Sequence, residues 1–482
     1  MKAGIKSYGA YIPKYMVKRE DIANAWDFPS LPGTKSVSNA DEDSITMAVE
    51  AGYDCLKEFD PNIVDALLFA TTTAPYLEKS NASIIASALD LRKDILTIDY
   101  TNSLKASTTA LAAACDMVNS EKAKNVLVIA SDKRNPEPMS MYEYSMGDAA
   151  AAFLISDEDL AINILDYLSN TDDNVGPWRR EKDGYIRQMQ MKYDSLVFFK
   201  NMIGAFKALG KRNELDFGSV AKAAIYGSDV RVPGKIGGKL GIPGKAVLDN
   251  LFMTLGDTGN TQVFMTLIAG LKRAKSEEII LLGGYGDGAD VFLMKVADKN
   301  KIKELKKTRR GHLLYSAMTE VVNTYNKYLF FRNSLNKPPY TRKTSTVTIH
   351  RDANVVARFH GMKCSKCGTV QYPKWRSCIE PSCMETGNHE EVKLQKRGKI
   401  YTFTLDHLEG GDYYQTPIPR CVIDLDGGGR VFLNMTDCDP EEVKIGMDVE
   451  LTFRKIHEGG DFFNYYWKCR PPRERGGPEM EA

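Results

Sequence analysis

The sequence predicts an α/β protein made of two similar halves and followed by a small β-rich module. Three observations carry this prediction: a β-α-β unit that recurs along the chain, apolar runs typical of buried strands, and four close cysteines followed by five alternating segments. The 482 residues are too many for one ordinary core, and a net charge of +1 provides no global field to attract nucleic acid or a membrane surface.

The repeat is gapless in its central stretch. The segments NSLKASTTALAAACDMVNSEKAKNVLVIAS and LGDTGNTQVFMTLIAGLKRAKSEEIILLGG each predict a turn, an amphipathic helix, a polar loop and a buried strand. Val126 and Ile279 lie 279 − 126 = 153 positions apart, and the same offset pairs Thr108 with Thr261. The strands VDALLFATTT and VAKAAIYGSDV also correspond. The repeat favours two similar halves packed as a pseudo-dimer over two unrelated α/β units.

Residues 1 to about 335 resemble the thiolase superfamily. The motifs that carry the likeness are GIKSYGAYIPKYMVKREDIANAW, TTTAPYLEKSNASIIASALDL, SLKASTTAL and GGYGDGADV, and the branch they resemble is 3-hydroxy-3-methylglutaryl-CoA (HMG-CoA) synthase and ketoacyl synthase III. This resemblance implies a five-layered α-β-α-β-α fold, an acyl-CoA substrate, and a homodimer or higher homo-oligomer.

The resemblance also shows which reactive groups are missing. Members that perform Claisen chemistry carry a nucleophilic cysteine at a helix N-terminus, where the helix dipole lowers the thiol pKa. That position falls on Leu104, and the family's acidic residue falls near Thr72 and Thr73. The first 311 residues contain no histidine and only two cysteines, Cys55 and Cys115. A covalent acyl-cysteine intermediate is therefore not expected.

Other polar residues remain at the predicted corners of both halves. An asparagine in the second half could donate to a thioester oxygen, and a tyrosine could exchange a proton with a substrate hydroxyl. Aspartate and glycine in GDTG and GDG also satisfy turn geometry, which is the alternative for the aspartates. The candidate catalytic residues are Tyr285, Asn260, Asp257, Tyr226 and Asp229, and the candidates for binding the CoA thioester are Lys105 and Ser103.

The C-terminal module begins with a metal-binding pattern. Cys364, Cys367, Cys378 and Cys383 follow C-x2-C-x10-C-x4-C, a spacing that predicts a tetrahedral Zn²⁺ site in a zinc ribbon. The five segments after it, from GKIYTFTLDH to FFNYYWKCR, predict a small OB-like barrel. A nucleic-acid-binding barrel would need a basic groove, whereas IDLDGGG and TDCDPEE are acidic.

The predicted domains are a thiolase-like domain at 1–311, a helical connector at 312–350, a zinc ribbon at 351–390, an OB-fold domain at 391–470 and a tail at 471–482. The ribbon and barrel resemble zinc-ribbon/OB proteins that accompany thiolase-like enzymes as separate subunits, so a thiolase partner is possible. No transmembrane segment or signal-peptide core is found, and the metal-type cysteine pattern fits a reducing cytoplasm.

The first functional hypothesis is an enzyme that makes or breaks a carbon–carbon bond beside a CoA thioester without a cysteine nucleophile. An aldol or retro-aldol step on a 3-hydroxyacyl-CoA fits best, because it needs an oxyanion hole and a proton shuttle but no thiol. The alternatives are a non-catalytic acyl-CoA-binding scaffold that partners a thiolase, and an HMG-CoA synthase-like condensing enzyme.

Overall fold

A computed structural model describes residues 1–174, 176–188, 191–311, 319–335, 344–408, 416–459 and 462–473. The chain divides into two units, of which the first comprises Met1–Asn39, Asp43–Ala86 and Leu91–Arg332. The second comprises Ala40–Glu42, Ser87–Asp90 and the described part of Asn333–Ala482. The predicted connector 312–350 is described only at 319–335 and 344–350, and the predicted tail only at 471–473.

The strands of the first unit account for its large sheet and for a small one. They are β1 Gly4–Tyr11, β2 Tyr15–Lys18, β3 Thr34–Val37, β4 Ala66–Thr71, β5 Leu96–Thr101, β6 Asn125–Lys133, β7 Asp148–Ser156, β8 Ile162–Ser169, β9 Lys222–Ile225, β10 Ile279–Tyr285, β11 Ala289–Val296 and β12 Glu320–Val321. Within the described ranges, nine of them form one mixed sheet in the order β5-β4-β6-β7-β1-β8-β11-β10-β9, and β12-β2-β3 form the small sheet.

The helices of the first unit connect and cover these strands. They are α1 Arg19–Ala25, α2 Ser44–Leu56, α3 Asn81–Ala88, α4 Ala106–Asn119, α5 Met141–Ser145, α6 Met191–Arg212, α7 Val232–Leu240, α8 Phe252–Leu255, α9 Gln262–Gly270, α10 Lys299–Thr308 and α11 Tyr325–Phe331. None of the helices that the structure describes is long and apolar enough to cross a bilayer.

The large sheet confirms the internal repeat. The first half has the strand order β5-β4-β6-β7-β1 and the second half has the order β9-β10-β11-β8. Each half contains a parallel pair, β4 with β6 and β9 with β10, followed by an antiparallel neighbour, β7 or β11. The two halves join through a short pairing of β1 with β8. β5 ends the sheet on the side of the first half. No described strand of the second half matches it, so β9, the equivalent of β4, ends the sheet on the other side.

The helices supply the layers of the predicted fold. α4 packs against β4, β5, β6 and β7 of the first half and against β8, β10 and β11 of the second, while α9 packs against β1, β7, β9 and β10. α2 covers β1, β6 and β7, and α6 covers β8, β10 and β11. The order of layers is therefore α2, first-half strands, α4 with α9, second-half strands, α6.

The repeat relates residues that meet at the centre of this arrangement. Ser107 and Asn260 are 153 positions apart, the offset of the repeat. The Ser107 backbone N–H donates to Asn260 Oδ1 over 3.0 Å, and Ser107 Oγ donates to the Asn260 carbonyl oxygen over 2.7 Å. Two equivalent positions can touch each other only near the axis that relates the halves. The starts of α4 and α9 therefore lie at the pseudo-twofold axis.

The second unit contains two small sheets and two short helices. Its elements are α12 Thr346–Arg351, α13 Ala353–Val356, β13 His360–Cys364, β14 Val370–Gln371, β15 His389–Lys393, β16 Arg397–Asp406, β17 Ile418–Leu425, β18 Arg430–Asn434, β19 Asp448–Gly459 and β20 Phe462–Arg470. Strands β14-β13-β15 form one sheet and β18-β17-β16-β19-β20 the other. A bridge between Met435 and Cys469 connects the two ends of the five-stranded sheet, which makes it a small barrel.

Candidate active site

The corner between β5 and α4 contains Ser103, Leu104 and Lys105. Ser103 Oγ donates to the carbonyl oxygen of Gly286 over 3.1 Å. A Cβ on Gly286 would lie 2.6 Å from Ser103 Oγ and 2.8 Å from the Leu104 nitrogen, so only glycine fits against this corner. The structure therefore brings together the two loops that the sequence singled out. That Leu104 occupies the position of the family's nucleophile remains a prediction.

Lys105 forms a buried ion pair. Its Nζ donates to Asp290 Oδ1 over 3.1 Å and to the Asn170 carbonyl oxygen over 2.9 Å. The other Asp290 oxygen accepts hydrogen bonds from the Thr108 and Thr109 hydroxyls over 3.0 and 2.7 Å. The charge of Lys105 is thus balanced by a carboxylate inside the protein, and a role of Lys105 or Ser103 in CoA binding remains a prediction.

Tyr226 and Asp257 form a buried pair in the second half. Tyr226 follows β9, and its hydroxyl donates to Asp257 Oδ2 over 3.1 Å. The backbone N–H of Gly259 donates to the other Asp257 oxygen over 2.9 Å. Burial, followed by the negative charge of Asp257, raises the pKa of the Tyr226 hydroxyl well above its ordinary value. Tyr226 is therefore a neutral phenol that can donate a proton, and Asp257 is the adjacent acceptor.

Asn260 is held by two groups of the first half. Besides its contacts with Ser107, its backbone N–H donates to Asp132 Oδ2 over 2.9 Å, and its Nδ2 lies 3.3 Å from the same oxygen. The amide oxygen and one amide hydrogen of Asn260 therefore already have partners. Donation from Asn260 to a substrate oxygen, which the sequence predicted, would have to use the remaining amide hydrogen.

The rings of Tyr285 and Tyr226 both lie close to the ring of Phe198. The Phe198 ring centre is 4.5 Å from that of Tyr285 and 6.3 Å from that of Tyr226. The Tyr285 hydroxyl accepts a hydrogen bond from Asn174 Nδ2 over 3.2 Å.

Asp229 differs from the other candidates, because its half-exposed carboxylate pairs with the exposed Arg231 over 3.1 Å. None of the contacts described for Asp229 joins it to the Tyr226–Asp257 pair.

Sequence reasoning missed the carboxylate that links these groups. Asp132, near the end of β6, is fully buried. Its Oδ1 accepts from the Thr71 hydroxyl, the Thr72 backbone N–H and the Thr73 hydroxyl over 3.1, 2.7 and 3.3 Å. A carboxylate therefore does lie at the segment where the family's acidic residue was sought, but it comes from a neighbouring strand. The signal was a buried run, VLVIAS, that is followed directly by an aspartate.

Sequence reasoning also missed Arg134, which lies two residues beyond Asp132. Its side chain is 2% exposed. Burial lowers the pKa of Arg134, but the negative charges of Asp257 and Asp132 outweigh this effect and raise that pKa above its ordinary value. A Cβ on Gly259 would lie 2.4 Å from both Arg134 Nη1 and Asp132 Oδ2, which shows how tightly these groups enclose the glycine. A guanidinium thus belongs to the same cluster as the Tyr226–Asp257 pair.

The two cysteines described in the first unit are core residues. Cys55 and Cys115 are fully buried, and burial raises the pKa of each thiol to about 12. A thiol in such surroundings is an apolar core group and a poor nucleophile.

The four cysteines of the predicted ribbon converge in the second unit. Their sulfur atoms all lie within 4.8 Å of one another. The Sγ atoms of Cys364 and Cys383 are 3.8 Å apart, and those of Cys367 and Cys378 are 3.5 Å apart. A tetrahedron of thiolates around Zn²⁺, with bonds of about 2.3 Å, has edges of about 3.8 Å. The cluster therefore fits one tetrahedral metal ion.

Comparison with family profiles gives two matches. Residues 98–173 match the family described as 3-oxoacyl-[acyl-carrier-protein (ACP)] synthase III. Residues 391–454 match the family described as ChsH2, C-terminal OB-fold domain. The second match confirms the predicted OB-like barrel.

Comparison with individual proteins gives longer matches. The chain is similar to the hydroxymethylglutaryl-CoA synthase of Thermococcus gammatolerans, with 32% identity over 308 residues that cover 62% of this chain and 87% of that one. A solved structure described as MvaS in complex with 3-hydroxy-3-methylglutaryl coenzyme A has a TM-score of 0.61 at 18% identity, covering 71% of this chain and 94% of that one. The 3-oxoacyl-[acyl-carrier-protein] synthase III of Aquifex aeolicus has a TM-score of 0.56 at 21% identity, covering 61% and 99%. These likenesses confirm the predicted fold of the first unit.

Proposed function

Because this chain belongs to the hydroxymethylglutaryl-CoA synthase family, we propose that its substrate is a CoA thioester and that it makes or breaks a carbon–carbon bond beside the thioester carbonyl. We further propose that no cysteine-bound acyl intermediate forms. The observation that carries this second step is Leu104, an apolar side chain at the position where the family resemblance puts the nucleophile.

Within residues 1–311, no cysteine or histidine replaces the missing thiol at this corner. Cys55 and Cys115 are buried in the core, and the first 311 residues contain no histidine to activate a hydroxyl. Ser103 Oγ donates its hydrogen to the Gly286 carbonyl oxygen and has no base beside it among the contacts described. The acyl group therefore stays on CoA throughout the reaction.

The chemistry that remains is an aldol-type reaction on the thioester itself. In the cleavage direction, a base removes the proton of the C3 hydroxyl, the C2–C3 bond breaks, and C3 becomes a ketone or aldehyde. The electron pair of the broken bond forms a thioester enolate, which takes a proton at C2 and leaves as a shorter acyl-CoA. Condensation is the reverse, and it is the direction that the relatives' name, hydroxymethylglutaryl-CoA synthase, favours.

Tyr226 and Asp257 are proposed to move the hydroxyl proton. The Tyr226 hydroxyl donates to the Asp257 carboxylate over 3.1 Å. When the Tyr226 oxygen takes the proton of the substrate hydroxyl, Tyr226 can pass its own proton to Asp257. Tyr285 is proposed as a second contributor because it shares the Phe198 contact with Tyr226. Asn260 is proposed to contribute its free amide hydrogen to a thioester oxygen.

The test is direct product analysis with a panel of 3-hydroxyacyl-CoAs, including hydroxymethylglutaryl-CoA. Chromatography should show a shorter acyl-CoA and a free carbonyl compound, or the reverse when those are supplied. Tyr226→Phe should lower turnover by about a hundredfold, because the proton path is cut. Tyr167→Phe is the matched control, since Tyr167 also donates to an aspartate, Asp116, over 2.7 Å but lies outside the cluster.

Two results would overturn the proposal. The first is a stoichiometric acetyl adduct on Ser103, Cys55 or Cys115 after incubation with acetyl-CoA, measured by intact-protein mass spectrometry. The second is tight binding of acyl-CoAs without turnover in either direction, which would favour a scaffold that serves a partner thiolase. Full activity of Tyr285→Phe together with Asn260→Ala would contradict only the roles given to those two side chains.

We propose that a zinc ion is bound by four cysteine ligands, Cys364, Cys367, Cys378 and Cys383. The support is the spacing of their sulfur atoms, which suits a tetrahedral ion. A structural zinc ion would supply folding energy to the ribbon and take no part in the acyl-CoA chemistry.

A homodimer is proposed from the exposed edge of the large sheet. β5 ends the sheet, and its residues are only partly buried, with Leu96 51% exposed. An unpaired strand edge of this kind is covered when a second copy adds its own strand. Sedimentation equilibrium should give twice the chain mass of 53.8 kDa, and a monomer at micromolar concentration would contradict this proposal.

A further inference from the structure

The side chain of Arg134 has hydrogen-bond donors that nothing in the described residues accepts. It is 2% exposed, and its Nε and Nη1 atoms have no partner within the part of the chain that the structure describes. The remaining terminal nitrogen has one weak contact, 3.8 Å from the sulfur atom of Met146. Buried guanidinium groups normally satisfy their donors with protein or water, because a buried unpaired donor is costly. The unpaired donors of Arg134 therefore indicate a group that the protein itself does not supply.

These donors lie inside the cluster where the reaction is proposed to occur. Gly259 connects the two groups: a Cβ on it would lie 2.4 Å from both Arg134 Nη1 and Asp132 Oδ2, and its backbone N–H donates to Asp257. Asp257 in turn accepts from Tyr226. The free N–H groups of Arg134 are therefore neighbours of the pair that would carry the hydroxyl proton.

The local charge decides what kind of group these donors would accept. Arg134 contributes one positive charge, and Asp132 and Asp257 contribute two negative charges in the same buried cluster. A further carboxylate would add a third negative charge where solvent cannot screen it. A neutral oxygen can accept a hydrogen bond from Nε or from Nη1 without that penalty. The charge balance therefore favours a carbonyl or hydroxyl oxygen over a carboxylate.

We propose that Arg134 binds the oxygen on C3 of the acyl group, so that the substrate is an acyl-CoA with a neutral oxygen at that carbon. This inference rests on the proposed function and adds a substrate contact to it. During condensation the carbon of the ketone or aldehyde becomes C3. Its carbonyl oxygen becomes an alkoxide and gains negative charge, which strengthens its hydrogen bond with the guanidinium. An interaction that is stronger in the transition state than in the ground state is the kind that accelerates a reaction.

Arg134 suits this role better than the amide of Asn260 does. The amide oxygen of Asn260 faces the Ser107 backbone N–H, and its nitrogen already donates to Asp132. Arg134 offers two free donors and a charge. The two side chains can thus bind different oxygens of the substrate: Arg134 donates to the oxygen on C3, and Asn260 donates to the thioester oxygen.

The test is calorimetric binding of three unreactive CoA thioethers to the full chain: S-butyl-CoA, S-(3-oxobutyl)-CoA and S-(2-carboxyethyl)-CoA. The wild type should bind the oxobutyl compound about tenfold to a hundredfold more tightly than the butyl compound, as expected for hydrogen bonds to a charged group. Arg134→Met should remove this preference, so that the variant binds the oxobutyl and butyl compounds about equally. Arg92→Met, at a surface ion pair with Asp65, is the matched control and should keep the preference.

Three outcomes would overturn the inference: equal affinity of the wild type for all three compounds, a preference that survives in Arg134→Met, or an Arg134-dependent preference for the carboxylate. Should Arg134→Met not fold, Arg134→Lys keeps the charge with a different donor geometry and should lose most of the preference. Failure of the proposed function is distinguishable, because it would appear as absent turnover of every 3-hydroxyacyl-CoA even where the binding preference persists. Unchanged turnover in Arg134→Met would contradict this inference alone.

Discussion

Gly259 offers the sharpest test of the cluster geometry. Replacing it by alanine adds a Cβ that would lie 2.4 Å from Arg134 Nη1 and 2.4 Å from Asp132 Oδ2. Arg134 can move the end of its side chain, but Asp132 is fixed by its contacts with Thr71, Thr72 and Asn260. The backbone φ of +62° adds strain of about 1–2 kcal/mol for any residue with a Cβ. The forced contact should add about 1–3 kcal/mol more.

Gly241→Ala separates the two contributions. Gly241 ends α7 with a φ of +81°, and no atom lies within 4 Å of the position of its added Cβ. This variant therefore carries the backbone strain without the steric contact. Both variants should be compared by denaturant unfolding and by turnover. Gly259→Ala should be less stable than Gly241→Ala by about 1–3 kcal/mol and should turn over about a hundredfold more slowly. Equal stability and equal turnover of the two variants would refute the described packing of Arg134 and Asp132.

Three further perturbations have definite expected outcomes. Replacing Cys364 by serine should lower the zinc content from about one ion per chain and unfold the ribbon at a lower temperature than the first unit, as shown by metal analysis and calorimetry; a metal-free wild type would contradict this. Hydrogen bonding to Asp90, opposed by partial burial and aided by Glu391, raises the pKa of His360 above 6.5. The protonated imidazole therefore stabilises the fold fully below pH 6.5, and this stabilisation is lost as pH rises through the raised pKa of His360. The free energy of unfolding of the wild type should exceed that of His360→Asn by on the order of 1 kcal/mol at pH 6 and by less at pH 9. Borohydride with a ketone substrate should trap no adduct on Lys105, because its ammonium group is held in a buried ion pair.

The fold could be predicted from the sequence because the repeat produces patterns that are visible over short stretches of the chain. Apolar runs such as VLVIAS and IILLGG predict covered strands, and a constant offset of 153 predicts that they occupy equivalent places. The structure confirms this in the matching orders of β4, β6 and β7 and of β9, β10 and β11. The resemblance then identified the corner at Leu104, and the contact of Gly286 with that corner confirms that the two loops meet.

The chemistry of the site was less accessible from the sequence, because it depends on contacts between distant residues. Asp132 meets Asn260 across 128 positions, and Arg134 encloses Gly259 from the opposite half. No periodicity encodes such a contact. The part that could have been found is Asp132 beside Thr71, since the parallel pairing of β4 with β6 puts the two strand ends at one edge of the sheet. The partner of Lys105 could not be predicted for the same reason, because Asp290 is 185 positions away in β11.

The pseudo-twofold axis supports the proposal that this scaffold stabilises an anionic reaction without a thiol. Ser107 touches its own repeat equivalent, Asn260, so the starts of α4 and α9 face the same point. The N-terminal ends of two helices favour negative charge there, and Asp132 lies beside them with its oxygens on backbone and side-chain donors. The field that lowers the pKa of a cysteine in other members of the superfamily would equally stabilise a thioester enolate. Under the proposed function, leucine at position 104 removes the covalent step but leaves this electrostatic stabilisation, which the proposed aldol reaction on free acyl-CoA requires.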